Sequence, residues 1–230
     1  MRAKTAAVCE QELRDAACEC TSCPALVNNR QQVVFASGPA SARLMFVGEA
    51  PGANEDREGA PFIGASGRLL DELLTSIEMK RDDVYITNVV KCRPPANRDP
   101  LASEIENCAP FLRRQIELVA PIVVVTLGNF ATRLLRGDAA RITAIHGQAE
   151  QRAFGEQSVW LFPVFHPAAA LYRRPNLVLL QEDFARLPDL VRGGAPVPVP
   201  LDEASTSVGE DAIHPDGATA QESPPQLGLF

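Results

Sequence analysis

Four cysteines of this chain have the number and spacing to close a metal site. Cys20-Thr21-Ser22-Cys23 is a C-x2-C pair, a spacing at which two thiolates face one centre from a tight turn. Cys92 and Cys108 form a second pair, flanking a proline-rich stretch and the start of a helical pattern. Four thiolates suit zinc and a [4Fe–4S] cluster alike, so spacing does not choose between them. Cys9 and Cys18 read as structural thiols, with Cys18 near enough to Cys20 to be an alternative ligand. A second set of residues could do acid–base chemistry. Glu49 sits in Gly48-Glu49-Ala50-Pro51-Gly52, with Glu55 and Asp56 after it, and Phe62 lies in Gly-Ala-Pro-Phe-Ile-Gly. The glycines allow close backbone approach and the proline stiffens the turn. Glu49 there is either a catalytic base or a surface charge. His166-Pro167 supplies an imidazole later in the chain, whereas His146 and His214 lack such context.

These residues must be positioned by a scaffold, and the apolar pattern supplies one. Short apolar runs at 44–47, 84–90, 122–127 and 159–165 read as buried strands. Leu69, Leu70, Leu73, Leu74 and Ile77 recur at helical spacing. Ser103 and Glu106 resemble a capping box opening a helix through Leu118. Helices are also expected over 129–135, stopped by Gly137, and over 178–187. Strands alternating with helices predict an α/β fold: three α/β/α layers around a central four-stranded parallel sheet. Ligands of open α/β sheets sit at the carboxyl ends of the strands. Here those ends are Gly48–Gly52, Asn88, Gly128-Asn129 and His166-Pro167.

The net charge of −7 argues against a globally basic nucleic-acid binder. Its distribution is uneven. From Gly193 onward the chain has six acidic residues and no Lys or Arg, leaving 22 basic against 23 acidic residues in 1–192. A near-neutral body still permits local, shape-specific contact with nucleic acid. Residues 1–192 are expected to form one domain. Residues 193–230, rich in Pro, Gly, Ser and acid, are expected to be a disordered tail. No run of 18 apolar residues exists and the N-terminus lacks an apolar signal core, so a cytoplasmic chain without a membrane span is expected. Nothing suggests oligomerisation, and a monomer is the expectation.

The motifs then converge. Gly48-Glu-Ala-Pro-Gly-x-x-Glu-Asp56, Pro61-Phe-Ile-Gly64, Tyr85-Ile-Thr-Asn-Val-Val-Lys-Cys-Arg-Pro-Pro-x-Asn-Arg98 and His166-Pro-Ala168 keep the order and spacing of the family 4 uracil-DNA glycosylases. The chain resembles these iron–sulfur members of the uracil glycosylase superfamily from about Cys20 to Arg173. The resemblance implies a [4Fe–4S] cluster on Cys20, Cys23, Cys92 and Cys108, and a uracil-DNA glycosylase-like fold. It implies hydrolysis of the bond between uracil and deoxyribose in DNA, leaving an abasic site. Glu49 would orient the water and stabilise a cationic sugar, with Glu55 as alternative or as a wall against the thymine methyl. His166 would donate to uracil O2. Phe62 would stack on the base, Gly48 and Gly52 would let it approach, and the Asn88 amide would pair with uracil N3–H and O4, a pattern that cytosine reverses. Base extrusion would use Leu171 as a wedge, with Tyr172 sharing the role, and Arg173, Arg174, Lys91, Arg93 and Arg98 as phosphate contacts. One relative carries a basic insert with a DNA-linked histidine; that insert is absent here. Another iron–sulfur branch replaces the first-motif carboxylate with an apolar residue and accepts more bases, a pattern from which Glu49 departs. Gln226, Leu227, Leu229 and Phe230 resemble the short bacterial motif that docks on the sliding clamp.

Overall fold

The computed structural model of the chain describes residues 2–197. The clamp-like motif, His214 and most of the expected tail lie outside the described residues. Helix α1 (Arg2–Glu19) and the short α2 (Pro24–Val27) lead into an edge strand β1 (Ala36–Ser37). Then come β2 (Leu44–Gly48), α3 (Ala53–Glu58), α4 (Ala65–Ser76), β3 (Tyr85–Asn88), α5 (Ala102–Val119), β4 (Val123–Leu127), α6 (Asn129–Arg136) and α7 (Ile142–Ile145). A hairpin of β5 (Glu150–Phe154) and β6 (Gln157–Val164) follows, with α8 (Pro167–Leu171), α9 (Arg174–Ala185) and α10 (Leu187–Gly193) after it.

The strand order is β1-β3-β2-β4-β6-β5. The four strands legible as apolar runs are its parallel centre, with β3, β2, β4 and β6 paired in that order. The two outer strands are antiparallel additions, so the sheet has six strands and is mixed. Both were missed for physical reasons. Strand β1 is two residues long, and β5 is a half-exposed Glu-Gln-Arg-Ala-Phe run without an apolar signature. Gly155, in the left-handed region at φ 60°, makes the tight turn of that hairpin.

Alternation along the central strands divides the core. Leu44, Phe46, Val123, Val125, Phe162 and Val164 face α4, α9 and α10, where Phe46 stacks on Phe184 at 5.6 Å. Met45, Val47, Tyr85, Val124 and Leu161 face α1, α2, α5 and α6. The sheet is thus covered on both faces, as expected.

Several boundaries differ from the sequence reading. Strand β3 ends at Asn88, although Val89 and Val90 still donate to the carbonyls of Gly48 and Glu49 at 2.9 and 3.0 Å. Helix α5 is capped by Glu104, whose carboxylate accepts from Leu101 N at 2.8 Å; Ser103 and Glu106 lie inside the helix. The single helix expected over 178–187 is two, α9 and α10, broken at Arg186 with Pro188 starting the second. Within the described residues, Trp160 Nε1 donates to Gly194 O at 3.1 Å. Among the described residues no helix is long and apolar enough to cross a membrane.

Candidate active site and thiol cluster

The central sheet sends four strand ends to one edge. Strands β2 and β4 are neighbours whose connections leave in opposite directions, and Gly48-Glu49 emerges at that switch point. Gly48 is a position without room. A β-carbon there would stand 2.4 Å from Asn88 Oδ1 and 2.5 Å from Phe62 Cζ. The Asn88 amide and the Phe62 ring therefore meet over a bare backbone floor. Asn88 is buried, and its Oδ1 has no hydrogen-bond partner among the described residues. A buried acceptor left open is costly unless a ligand completes it.

Phe62 is held there by its loop. Its φ of 55° is left-handed, and a β-carbon on Gly67 would fall 1.7 Å from Phe62 O. The Glu55 carboxylate accepts from Ile63 N at 3.1 Å and Gly64 N at 2.9 Å, tying α3 to this loop. Gly52 caps α3, and a β-carbon on it would lie 2.8 Å from Glu55 Oε2. The geometry thus gives Glu55 the work of a brace beneath Phe62. Asp56, named beside it in the motif, is fully buried and accepts from Gln31 N at 2.9 Å.

His166 caps α8 at the end of β6. Its Nδ1 accepts from Ala168 N at 3.1 Å, so in the neutral ring the proton resides on Nε2. The ring packs 5.6 Å from Phe62 and against Gly128, whose own β-carbon would stand 3.1 Å from His166 Cβ. Burial lowers the imidazole to about 4, leaving a neutral donor at neutral pH. Glu49 moves the other way. Burial, reinforced by nearby Asp99, raises it to about 7. A flat ring, an open acceptor, a neutral N–H donor and a half-ionised carboxylate together suit a planar heterocycle that leaves as an anion.

The outer residues are more scattered. Leu171 and Tyr172 follow His166 and are exposed, 40% and 82%. Arg173 and Arg174 beside them are also exposed. Arg98 grips Glu104 through both carboxylate oxygens at 2.6 and 2.8 Å. Lys91 is buried, which corrects its reading as a phosphate contact. Its Nζ donates to Thr87 Oγ1, Asn88 O and Gln115 Oε1 at 2.6–2.7 Å. Apolar Val89 and Val90 before Lys91 and Cys92 after it were the available signal for burial. His146, paired with Asp183 at 2.9 Å and packed on Phe165, is structural.

The four candidate ligand cysteines occupy one neighbourhood. Cys92 feels the charge of Cys20 and Cys23, and Cys108 that of Cys92 and Cys20. Burial raises both buried thiols, opposed at Cys92 by Arg30 and at Cys108 by Lys91. Three receive N–H donors at sulfur: Cys92 from Arg30 at 3.0 Å, Cys108 from Lys91 N at 3.4 Å and Cys23 from Asn107 at 3.5 Å. Arg30 also donates to the carbonyls of Cys18 and Cys20, at 3.3 and 3.0 Å. Cys18 itself is exposed. Arg30 and Asn107 carry no motif and were not singled out from sequence. Among the described residues no group of three or more His, Cys, Asp or Glu side chains stands close enough to hold a metal ion as placed.

Comparison with known proteins agrees with this geometry. Residues 35–187 match the family model described as the uracil DNA glycosylase superfamily. A type-4 uracil-DNA glycosylase of Sulfurisphaera tokodaii is 43% identical over 186 residues, covering 78% of this chain and 84% of its own. Its counterpart in Thermotoga maritima is 44% identical, covering 69% of this chain and 81% of its own. A type-5 uracil-DNA glycosylase of Pyrobaculum aerophilum is 35% identical, covering 65% and 78%. With the family model spanning the sheet and relatives above 40% identity over most of the chain, the chain belongs to the uracil DNA glycosylase superfamily, in its type-4 group.

Proposed function

We propose that this chain hydrolyses the N-glycosidic bond between uracil and deoxyribose in DNA, leaving an abasic site for repair. The observation that carries the reading is the unpartnered Asn88 Oδ1, buried over the Gly48 floor beside Phe62. Uracil offers N3–H to that acceptor and O4 to the amide N–H; cytosine offers the reverse. The base reaches the slot only when turned out of the duplex, with Leu171 and Tyr172 filling the gap and Arg173 holding phosphate. Phe62 stacks on the flipped ring. As the N1–C1′ bond breaks, its electron pair passes to the uracil ring, and His166 Nε2–H steadies the charge at O2. The ionised Glu49 faces the cationic sugar, directs a water to C1′ and takes up that water's proton as the new C–O bond forms. Protonation of the uracil anion completes the hydrolysis.

Cys20, Cys23, Cys92 and Cys108 would hold a [4Fe–4S] cluster. Their mutual electrostatic coupling and N–H···S donors fit it, and all six cysteines are free thiols. When bound, the cluster would join these four thiolates and so staple the segment after α1 to the loop after β3 and to α5. Such ligands need a reducing compartment, in keeping with a cytoplasmic protein. Gln226, Leu227, Leu229 and Phe230 would serve as a clamp-binding peptide, tested by loss of sliding-clamp binding when these residues are deleted.

The test is base release from end-labelled oligonucleotides carrying a single uracil, thymine, cytosine or hypoxanthine, followed by alkaline cleavage of abasic sites. Cleavage confined to uracil is expected. Inertness of a brown, iron-loaded, folded preparation towards uracil would overturn the reading. Release of hypoxanthine as well would place the chain with the broader-range branch.

A further inference from the structure

The residue that would read the base is not held by its own side chain. Asn88 Oδ1 has no partner among the described residues, so no hydrogen bond at that atom fixes the amide plane before a base enters. Amide orientation matters here more than at most sites. An Asn amide rotated by half a turn exchanges acceptor for donor and presents the pattern that fits cytosine. Something else must fix where Asn88 points.

The structure supplies a support beneath it. Lys91 Nζ donates to the main-chain carbonyl of Asn88 at 2.6 Å and to Thr87 Oγ1 at 2.7 Å, gripping the last two residues of β3. The same ammonium donates to Gln115 Oε1 on α5 at 2.6 Å. Gln115 Nε2 in turn donates to Tyr85 OH at 3.1 Å, and Tyr85 OH to Glu10 of α1 at 3.2 Å. Lys91 and Gln115 are essentially inaccessible to solvent. The chain of bonds is continuous, and it is buried from Lys91 as far as Tyr85. Such networks rigidify the elements they join.

Building on the uracil-releasing function, we propose that Lys91 is a positioning residue for Asn88 and, through it, a determinant of uracil-over-cytosine selectivity. Its role is to fix the end of β3 against α5, so that the Asn88 side chain leaves the backbone in one direction over Gly48. Loosened, the amide samples the rotated state, and discrimination falls faster than activity.

The experiment compares wild type, Lys91→Met, Gln115→Leu and Gln115→Glu as iron-loaded proteins, in single-turnover release of uracil and of cytosine from matched oligonucleotides. Lys91→Met keeps the length of the stem and removes the three donor bonds. It is expected to lower the uracil rate about tenfold and narrow the uracil-to-cytosine ratio by about tenfold or more. Gln115→Leu should narrow the ratio less, because the ammonium keeps Asn88 and Thr87. Gln115→Glu, which preserves the acceptor, should restore it. A loss of folded protein scales both rates alike and leaves the ratio unmoved. A wild-type ratio in Lys91→Met, or in Gln115→Leu if the Lys91 variant does not fold, would overturn the proposal. Absence of uracil release by the wild type would instead strike the functional reading on which it rests.

Discussion

Glu49 carries opposing demands. Burial and Asp99 raise it to about 7, so the folded protein holds a proton there that the unfolded chain releases near the ordinary 4.5. The folded state binds more protons between those values, and the stability this confers is therefore present at low pH and lost as pH rises through about 7. After allowance for partial solvent screening, the loss is about 1–2 kcal/mol. Activity should run the other way, because in the proposed mechanism the ionised form faces the cationic sugar. Glu49→Gln is expected to be at least as stable as wild type at pH 8 and about 100-fold slower, and its rate should lose the rise through pH 7. Denaturant melts and single-turnover rates at pH 5.5 and 8 check both arms. His166, already neutral above about 4, should contribute no further titration in that range. A rate limb that persists in the Gln variant would assign the pH dependence elsewhere.

At the scale of elements, the segment between Cys92 and α5 is the most constrained in the site. Ala96 and Asn97 both adopt left-handed backbone, at φ 53° and 55°, a cost that surrounding contacts must offset. Arg98 supplies one such contact through its forked pair with the buried Glu104, which also caps α5. The Arg98 bond holds the Glu104 carboxyl below its ordinary value, so this contribution is present above pH 4.5 and fades as pH falls below it. Arg98→Ala is expected to cost about 2 kcal/mol at pH 7 and less at pH 4, read from denaturant midpoints at the two values. An equal loss at both pH values would contradict the pairing. This loop also shows what sequence could and could not carry. The four parallel strands were legible because each lies in a mainly apolar run, and the strand-end motifs followed from them. The Arg98–Glu104 pair was not, since an Arg among polar loop residues reads equally as a phosphate contact or a clamp. Lys91 was misread for a related reason: its charge outweighed its apolar neighbours, although its three acceptors come from β3 and α5 and meet only in the fold.

Across the whole molecule, one thiol neighbourhood brings the N-terminal segment beside the loop after β3 and α5, and the proposed cluster would tie them. Cys20 and Cys23 follow α1, Cys92 follows β3, and Cys108 sits in α5. Removing iron with a chelator under oxidising conditions is therefore expected to raise amide exchange first at residues 18–30 and 91–108, while β4 and β6, buried by the sheet's other half, remain protected. Uniform loss of protection would mean that the cluster governs global folding instead. The candidate site and the proposed staple meet at Asn88, three residues before Lys91 and four before Cys92. The most direct test of the account is single-turnover uracil release by the iron-loaded wild type beside Asn88→Asp. The account predicts ready release by the wild type and a loss of about 1,000-fold or more in the variant, whose iron content and melting point stay close to wild type. A variant that releases uracil at the wild-type rate would contradict it.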